Sequence, residues 1–232
     1  MKRPIYCLIP ARSGSKRIPK KNIKNFCGLP IIAWSIKSAI NSNLFDRVIV
    51  STDDIEISEI ALNYGAEVPF KRPKNLSDDY STTLEVINHF ISLLDDSIKS
   101  CNPIIFCLYA TAPFIKNKQI RIGLSKFLES DQNHILFLAK EYNHPIERSF
   151  FINEDGYSVL NFPNSGNQRT QDLRPKFYDA GQFYIGAANS WNSQNTIIQD
   201  NYPLVISNFI SHDIDNKKDW EYAEKLYKSI YQ

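Results

Sequence analysis

The sequence predicts an α/β fold in which a mostly parallel β-sheet is covered by helices on both faces. Short apolar runs of strand length recur along the chain, as at residues 5–9, 47–51 and 104–109. Between them lie segments whose apolar residues repeat at helical spacing. The two kinds of segment alternate, which places parallel strands beside crossover helices.

In order, Ile5-Tyr6-Cys7-Leu8-Ile9 reads as a buried first strand that runs into a polar, basic loop. Ile32, Ile36, Ala39 and Ile40 then form a helical stripe that Pro30 can begin. Residues 47–51 are a second buried strand. Ile57, Ile60, Ala61 and Tyr64 mark the next helix, ended by Gly65. Residues 67–70 read as a short strand, and Leu84, Ile87, Ile91 and Leu94 as a helix. Residues 104–109 have the continuous apolar character of a central strand, followed by a helix carrying Ile120, Leu124, Phe127 and Leu128. From residue 134 the rhythm changes to short aromatic-rich strands with a turn at Asn153-Glu154-Asp155-Gly156. This predicts a small β-rich excursion over 134–168, of the kind used for dimerisation. The core resumes at 182–186 and 203–206, and a helix with Trp220, Ala223, Tyr227 and Ile230 on one side closes the chain.

The 232 residues suit one domain with that excursion inside it. Hydrophobic content of 43% and charged content of 22% are those of a soluble globular protein. A net charge of +2 implies no general attraction to nucleic acid. No apolar run reaches membrane-spanning length, no signal peptide is evident, and the four cysteines suggest neither disulfides nor zinc. A cytoplasmic location is the default expectation.

The most informative segment is the loop after the first strand, Pro10-Ala11-Arg12-Ser13-Gly14-Ser15-Lys16-Arg17-Ile18-Pro19-Lys20-Lys21-Asn22. Six basic residues and no acidic one lie between Arg12 and Lys24. Ser13, Gly14 and Ser15 let backbone N–H groups approach a ligand. A solvated face or a nucleic-acid patch can also be basic, but this run is broken by Pro and Gly and follows a buried strand. It lacks Walker A spacing. Ligands of parallel sheets bind beyond the carboxyl ends of the strands, so a polyphosphate is expected here. By the same rule the loops at 52–54, 71–73 and 110–113 should share its mouth.

Asp213-Ile214-Asp215 follows the last strand-like segment. In extended backbone, residues two apart stand roughly 6.6 Å apart on one side. The pair could hold Mg²⁺ together with phosphate oxygens. The alternative is a solvated acidic turn with Asp219 as a helix cap. Arg72 could reach the common mouth or be a plain surface arginine. Ser81 and Thr82 look like capping hydroxyls that could also touch a base or ribose. Arg169, Gln171, Asp179, Gln182 and Tyr184 offer polar groups for a hydroxylated, amide-bearing anion.

The loop at 9–22, with residues 45–54 and 65–73, resembles the CMP-sugar synthetases that activate nonulosonic acids. Ala110-Thr111-Ala112-Pro113-Phe114, Arg169-Thr170-Gln171-Asp172 and Asp179-Ala180-Gly181-Gln182-Phe183-Tyr184 narrow this to a likeness to the pseudaminic acid cytidylyltransferases. The resemblance implies a Rossmann-like nucleotidyltransferase fold. It also implies a reaction joining CTP to the anomeric hydroxyl of a keto sugar acid with Mg²⁺, giving CMP-sugar and pyrophosphate. It assigns Arg12 and Lys21 to catalysis, and Ala11, Arg12, Ser13, Gly14, Ser15, Lys16, Lys21, Asn22, Arg72, Ser81 and Thr82 to the nucleotide. Asp213 and Asp215 would bind the metal. Arg148, Arg169, Gln171, Asp179, Gln182 and Tyr184 would face the sugar, Arg148 across a homodimer. N-acetylneuraminate or legionaminate activation, and a non-catalytic nucleotide- or RNA-binding module, are the rival readings.

Overall fold

The computed structural model describes residues 3–165, 168–206 and 209–232. The chain opens with β1 (Ile5–Pro10), two short strands β2 (Asn25–Phe26) and β3 (Leu29–Pro30), and helix α1 (Ile31–Ser42). Next come β4 (Arg47–Ser51), α2 (Ile55–Asn63), α3 (Thr83–Ser92), the single turn α4 (Asp96–Lys99) and β5 (Ile104–Leu108). After α5 (Asn117–Glu129) and β6 (Leu136–Glu141), strands β7 (Phe150–Ile152) and β8 (Ser158–Leu160) form a hairpin. The chain ends with β9 (Phe177–Ala187), α6 (Ala188–Ser193), β10 (Tyr202–Val205) and α7 (Lys217–Tyr231).

The main sheet has the order β10-β6-β9-β5-β1-β4. β1 pairs in parallel with β4 and β5, and β10 with β6, while β9 runs antiparallel between β5 and β6. Side-chain alternation sorts each strand between two cores. Cys7 and Ile9 of β1 pack with Ile32 and Ile36 of α1, Ile57 of α2, and Ile120 and Leu124 of α5. Tyr6 and Leu8 face the other way, toward Ile87, Phe90 and Ile91 of α3 and Trp191 of α6. The α/β architecture with helices on both faces is therefore the one read from the sequence.

A third core matters more for function. Ile18 from the basic loop, Phe26, Phe114, Ile214, and Trp220, Ala223 and Tyr227 of α7 are buried together. Segments far apart in sequence are thereby held at one end of the sheet.

Two expectations need correction. Residues 136–141 were assigned to the excursion, yet β6 lies inside the main sheet, with Leu136, Phe137 and Leu138 buried. The β-rich excursion from the main sheet runs between Glu141 and Phe177; residues 166 and 167, within the expected 134–168 span, lie outside the described residues. The aromatic composition of 134–163 hid a strand whose partners come from far along the chain. Residues 67–70 form no full strand either. Only Glu67 and Lys71 make single parallel bridges, to Ile49 and Thr52.

Candidate active site

The basic loop begins where β1 leaves the sheet. Ala11 donates its N–H to Ser51 O (2.9 Å), and its methyl group stays in the core. The Asp53 carboxylate accepts from the Ser13 N–H (3.0 Å) and hydroxyl (2.7 Å). Burial pushes the Asp53 carboxyl up, but the bonds from Ser13 outweigh it and hold the group below its ordinary value. Asn22 closes the loop by donating to Arg12 O (2.9 Å).

Beyond this loop opens a cavity of about 500 Å³, a size that suits a nucleotide. Pro10, Arg12, Ser15, Lys16, Arg17, Lys21 and Asn22 line one side. Arg72, Leu76, Asp78, Asp79, residues 81–83 and Val86 line another, with Tyr109, Ala110 and Thr111 beyond β5 and Asp215 at the C-terminal flank. The loops after β1 and β5, and the Arg72 segment, thus share one mouth.

The cations in this cavity are held by acids of the chain. Asp79 lies 2.5 Å from Lys16 Nζ and 2.8 Å from Arg12 Nη1, and Arg12 also donates to Asp78 O. Lys16, and then Arg12, keep the Asp79 carboxyl below its ordinary range. Arg17 lies 2.9 Å and Lys21 3.7 Å from Asp215, and Lys21 Nζ donates to Ile214 O (2.6 Å). Burial pushes the Lys21 ammonium down, while Asp215 and Asp213 pull it up.

Arg72 is different. Its side chain is 3% exposed, its nearest carboxylate is Asp53 at 3.9 Å, and its Nε and Nη2 have no hydrogen-bond partner. Burial pushes the guanidinium down to about 10, partly offset by Asp53. A buried cation with unspent donors is costly unless a ligand accepts them.

Ile214 is fully buried between Asp213 and Asp215, so the two carboxylates flank a core residue as the period of two requires. Asp215 lines the cavity. Asp213 stands beside Gly181, where an added Cβ would lie 3.9 Å from Asp213 Oδ2. Desolvation and the Asp215 charge push the Asp213 carboxyl up, against the pull of Lys21. No group of three or more His, Cys, Asp or Glu among the described residues could hold a metal alone. Two carboxylates that repel each other fit a hard divalent cation whose other ligands arrive with a phosphate substrate.

Ser81 and Thr82 line the cavity, and both hydroxyls have structural bonds. Ser81 donates to Asp78 Oδ1 (2.7 Å), and Thr82 caps α3 in a capping box with Glu85. Ser13 and Gly14 belong to the loop but do not line the cavity, nor does Ala11. Of the residues expected to face a sugar, Gln182 and Tyr184 are buried. Gln182 donates to Ala180 O and Gly181 O (3.1 Å each), and its buried Oε1 has no partner. Tyr184 donates to Asp179 Oδ2 (2.6 Å). Arg148, Arg169 and Gln171 are exposed outside the cavity, Arg148 donating to Gln168 O (2.5 Å). Arg17, Asp79, Thr83 and Tyr109 line the cavity without having been singled out. The strand-end rule could have found Tyr109, the residue directly after β5; no local pattern marks Asp79.

A family model described as cytidylyltransferase matches residues 6–151. A pseudaminic acid cytidylyltransferase of Campylobacter jejuni subsp. jejuni serotype O:23/36 (strain 81-176) is 41% identical over 96% of this chain and 95% of its own length. The N-acylneuraminate cytidylyltransferase B of Danio rerio is 32% identical over 94% of this chain and 50% of its own. Among solved structures, CMP:2-keto-3-deoxy-manno-octonic acid synthetase complexed with CTP superposes with a TM-score of 0.72 at 14% identity. That likeness covers 97% of this chain and 99% of the other, and concerns the fold.

Proposed function

Because this chain belongs to the cytidylyltransferase family, we propose that it joins CTP to the anomeric hydroxyl of a nonulosonic acid, pseudaminic acid, releasing pyrophosphate. The observation that carries this reading is Arg72, a buried guanidinium with two nitrogens that donate no hydrogen bond, in the wall of a cation-rich cavity. A nucleotide offers the acceptors that Arg72 lacks. The 41% identity to a pseudaminic acid enzyme along nearly the whole chain supports the choice of sugar.

In this reading Arg12, Lys16 and Lys21 bind the triphosphate, and Arg12 and Lys21 offset the charge that grows on the departing pyrophosphate. To do so they exchange chain carboxylates for phosphate oxygens. Asp213 and Asp215 would hold Mg²⁺, which when bound lends positive charge to phosphate oxygens. The sugar hydroxyl attacks the α-phosphorus in line with the leaving group, so rate depends chiefly on positioning. Asp179 and Gln182 stand on the β9 side, where the sugar acid would lie.

The assembly is a homodimer built on the β7–β8 hairpin, and Arg148, Arg169 and Gln171 serve the sugar from that excursion. No helix among the described residues is long and apolar enough to cross a membrane. Use of CTP places the enzyme in the cytoplasm. The test is pyrophosphate release from each of four nucleoside triphosphates with pseudaminic, N-acetylneuraminic, legionaminic and keto-deoxy-octonic acids. CTP with pseudaminic acid is expected to be the preferred pair by at least about tenfold in kcat/KM. Preference for another sugar acid overturns the substrate, and release with none overturns the activity.

A further inference from the structure

We propose that Asp219 is a positioning residue for the metal site: it braces the peptide that carries Asp215 and touches neither metal nor substrate itself. This role rests on the assignment of Asp215 to Mg²⁺ given above and deepens it. The sequence sets a helix-capping Asp219 against a metal site as alternatives, and the structure joins the two in one device.

Ile214 anchors the turn, because its buried side chain packs with Ile18 of the basic loop and Trp220 of α7. The peptide that follows it is gripped at both ends. Lys21 Nζ donates to its oxygen, Ile214 O (2.6 Å), and Asp219 Oδ2 accepts from its nitrogen, the Asp215 N–H (2.9 Å). A cation at the oxygen and an anion at the N–H polarise one peptide in the same sense, so each bond strengthens the other. Asp219 Oδ2 also accepts from the Asn216 N–H (3.0 Å). Asn216 Oδ1 accepts in return from the N–H groups of Lys218 (2.8 Å) and Asp219 (3.1 Å). Asn216 and Asp219 thereby form the capping box that starts α7. A capping box needs only the bond back to the cap. The further bond, to Asp215, reaches outside the helix to the residue that lines the cavity.

Asp219 is not placed to be a ligand itself. Its Oδ2 is taken by two backbone N–H groups, its Oδ1 lies 4.0 Å from His212 Nε2, and its side chain does not line the cavity. When a triphosphate draws Lys21 away from Ile214 O, the bond to Asp219 is the one that still holds the peptide. Asp215 thus keeps its place as metal and phosphates arrive together, which is the service that outer groups give to a metal ligand.

Asp219→Ala, Asp219→Asn and Asn216→Ala test this, with Mn²⁺ as the paramagnetic stand-in for Mg²⁺. Mn²⁺ is titrated into the CTP complex without sugar acid, and bound ion is read by water-proton relaxation, so no turnover is needed. Asp219→Ala is expected to weaken Mn²⁺ binding about tenfold; unchanged binding overturns the brace. Asp219→Asn should stay within about threefold of the wild type, because an amide oxygen still accepts both N–H bonds. A loss in Asp219→Asn as large as in Asp215→Asn would make Asp219 a ligand and sink the proposal, and this comparison holds even where Asp219→Ala does not fold. Asn216→Ala removes the helix cap but keeps the bond to Asp215. It should lower the melting temperature and leave Mn²⁺ affinity within about threefold. Equal Mn²⁺ losses in Asn216→Ala and Asp219→Ala would put the damage down to fraying of α7 and also end the proposal. Amide exchange read by NMR, without metal or nucleotide, should be at least about tenfold faster at Asp215 in Asp219→Ala; equal protection there counts against the brace in the same way. A wild type that binds Mn²⁺ with CTP but releases no pyrophosphate with any sugar acid would instead overturn the activity reading and leave the brace standing.

Discussion

Lys21 sits between forces of opposite sign: burial disfavours its charge, while Asp215 and Asp213 favour it. In the proposed reaction this partly desolvated ammonium would exchange Asp215 for phosphate oxygens, where its charge is most effective. Lys21→Ala is expected to lower CMP-sugar formation at least about 100-fold with little change in the melting curve; near-normal turnover would remove Lys21 from the mechanism. Asp215→Asn should raise the Mg²⁺ concentration needed for half-maximal rate about tenfold or more, since a neutral amide is a poor ligand for a hard cation. An unchanged magnesium titration would rule out ligation by Asp215. At this scale the sequence was informative where charge is concentrated. Arg12 and Lys21 stand out because they lie in an acid-free basic loop after a buried strand, Arg72 because it ends a strand-like run, and Asp213 and Asp215 because Ile214 separates them. Tyr109 was legible only through the rule that ligands lie beyond strand ends, because its residue type alone looks the same whether it meets a ligand or the core.

At the scale of elements, α7 is joined to the rest by an unusual lysine. Lys116 Nζ donates to Pro113 O and Tyr227 Oη (2.8 Å each), and lies 4.5–5.1 Å from the rings of Trp34, Tyr227 and Tyr231. It therefore links α1, the segment before α5, and α7, whose start follows Asp215. Burial pushes this ammonium down to about 8 from 10.5. Between those values the unfolded chain carries the proton and the folded chain does not, so this group's contribution to stability rises with pH across that window. The urea midpoint of the wild type should therefore gain on that of Lys116→Met between pH 8 and 10.5. A constant difference would show that the three rings keep the ammonium charged throughout. Helices were the most readable elements, since α1, α2, α3, α5 and α7 each carry a stripe that the sequence displays. β6 and the antiparallel course of β9 were not readable. Which strand pairs with which is settled by partners 36 to 49 residues apart in the chain, and no local pattern records them.

At the scale of the molecule, the hairpin of β7 and β8 is the part that the fold leaves unexplained. Phe150, Phe151, Ile152, Tyr157, Val159 and Leu160 are all exposed on it. It is a two-stranded sheet paired only with itself, and such a hairpin is marginal in water. Apolar side chains on both of its faces cost solubility unless something covers them. A second copy of the chain is the simplest cover, because each copy brings the same apolar strands to a twofold contact. Sedimentation should accordingly show a dimer at micromolar concentration. Phe151→Asp with Val159→Asp places two like charges on cross-strand partners and should yield a monomer. If Arg148, Arg169 and Gln171 serve the sugar from this excursion, the monomer should keep CTP affinity within about twofold and lose kcat/KM for the sugar acid about tenfold or more. A wild type that sediments as a monomer would sink the dimer. A monomeric variant with full activity would confine the sugar site to one chain and leave the hairpin without a catalytic part.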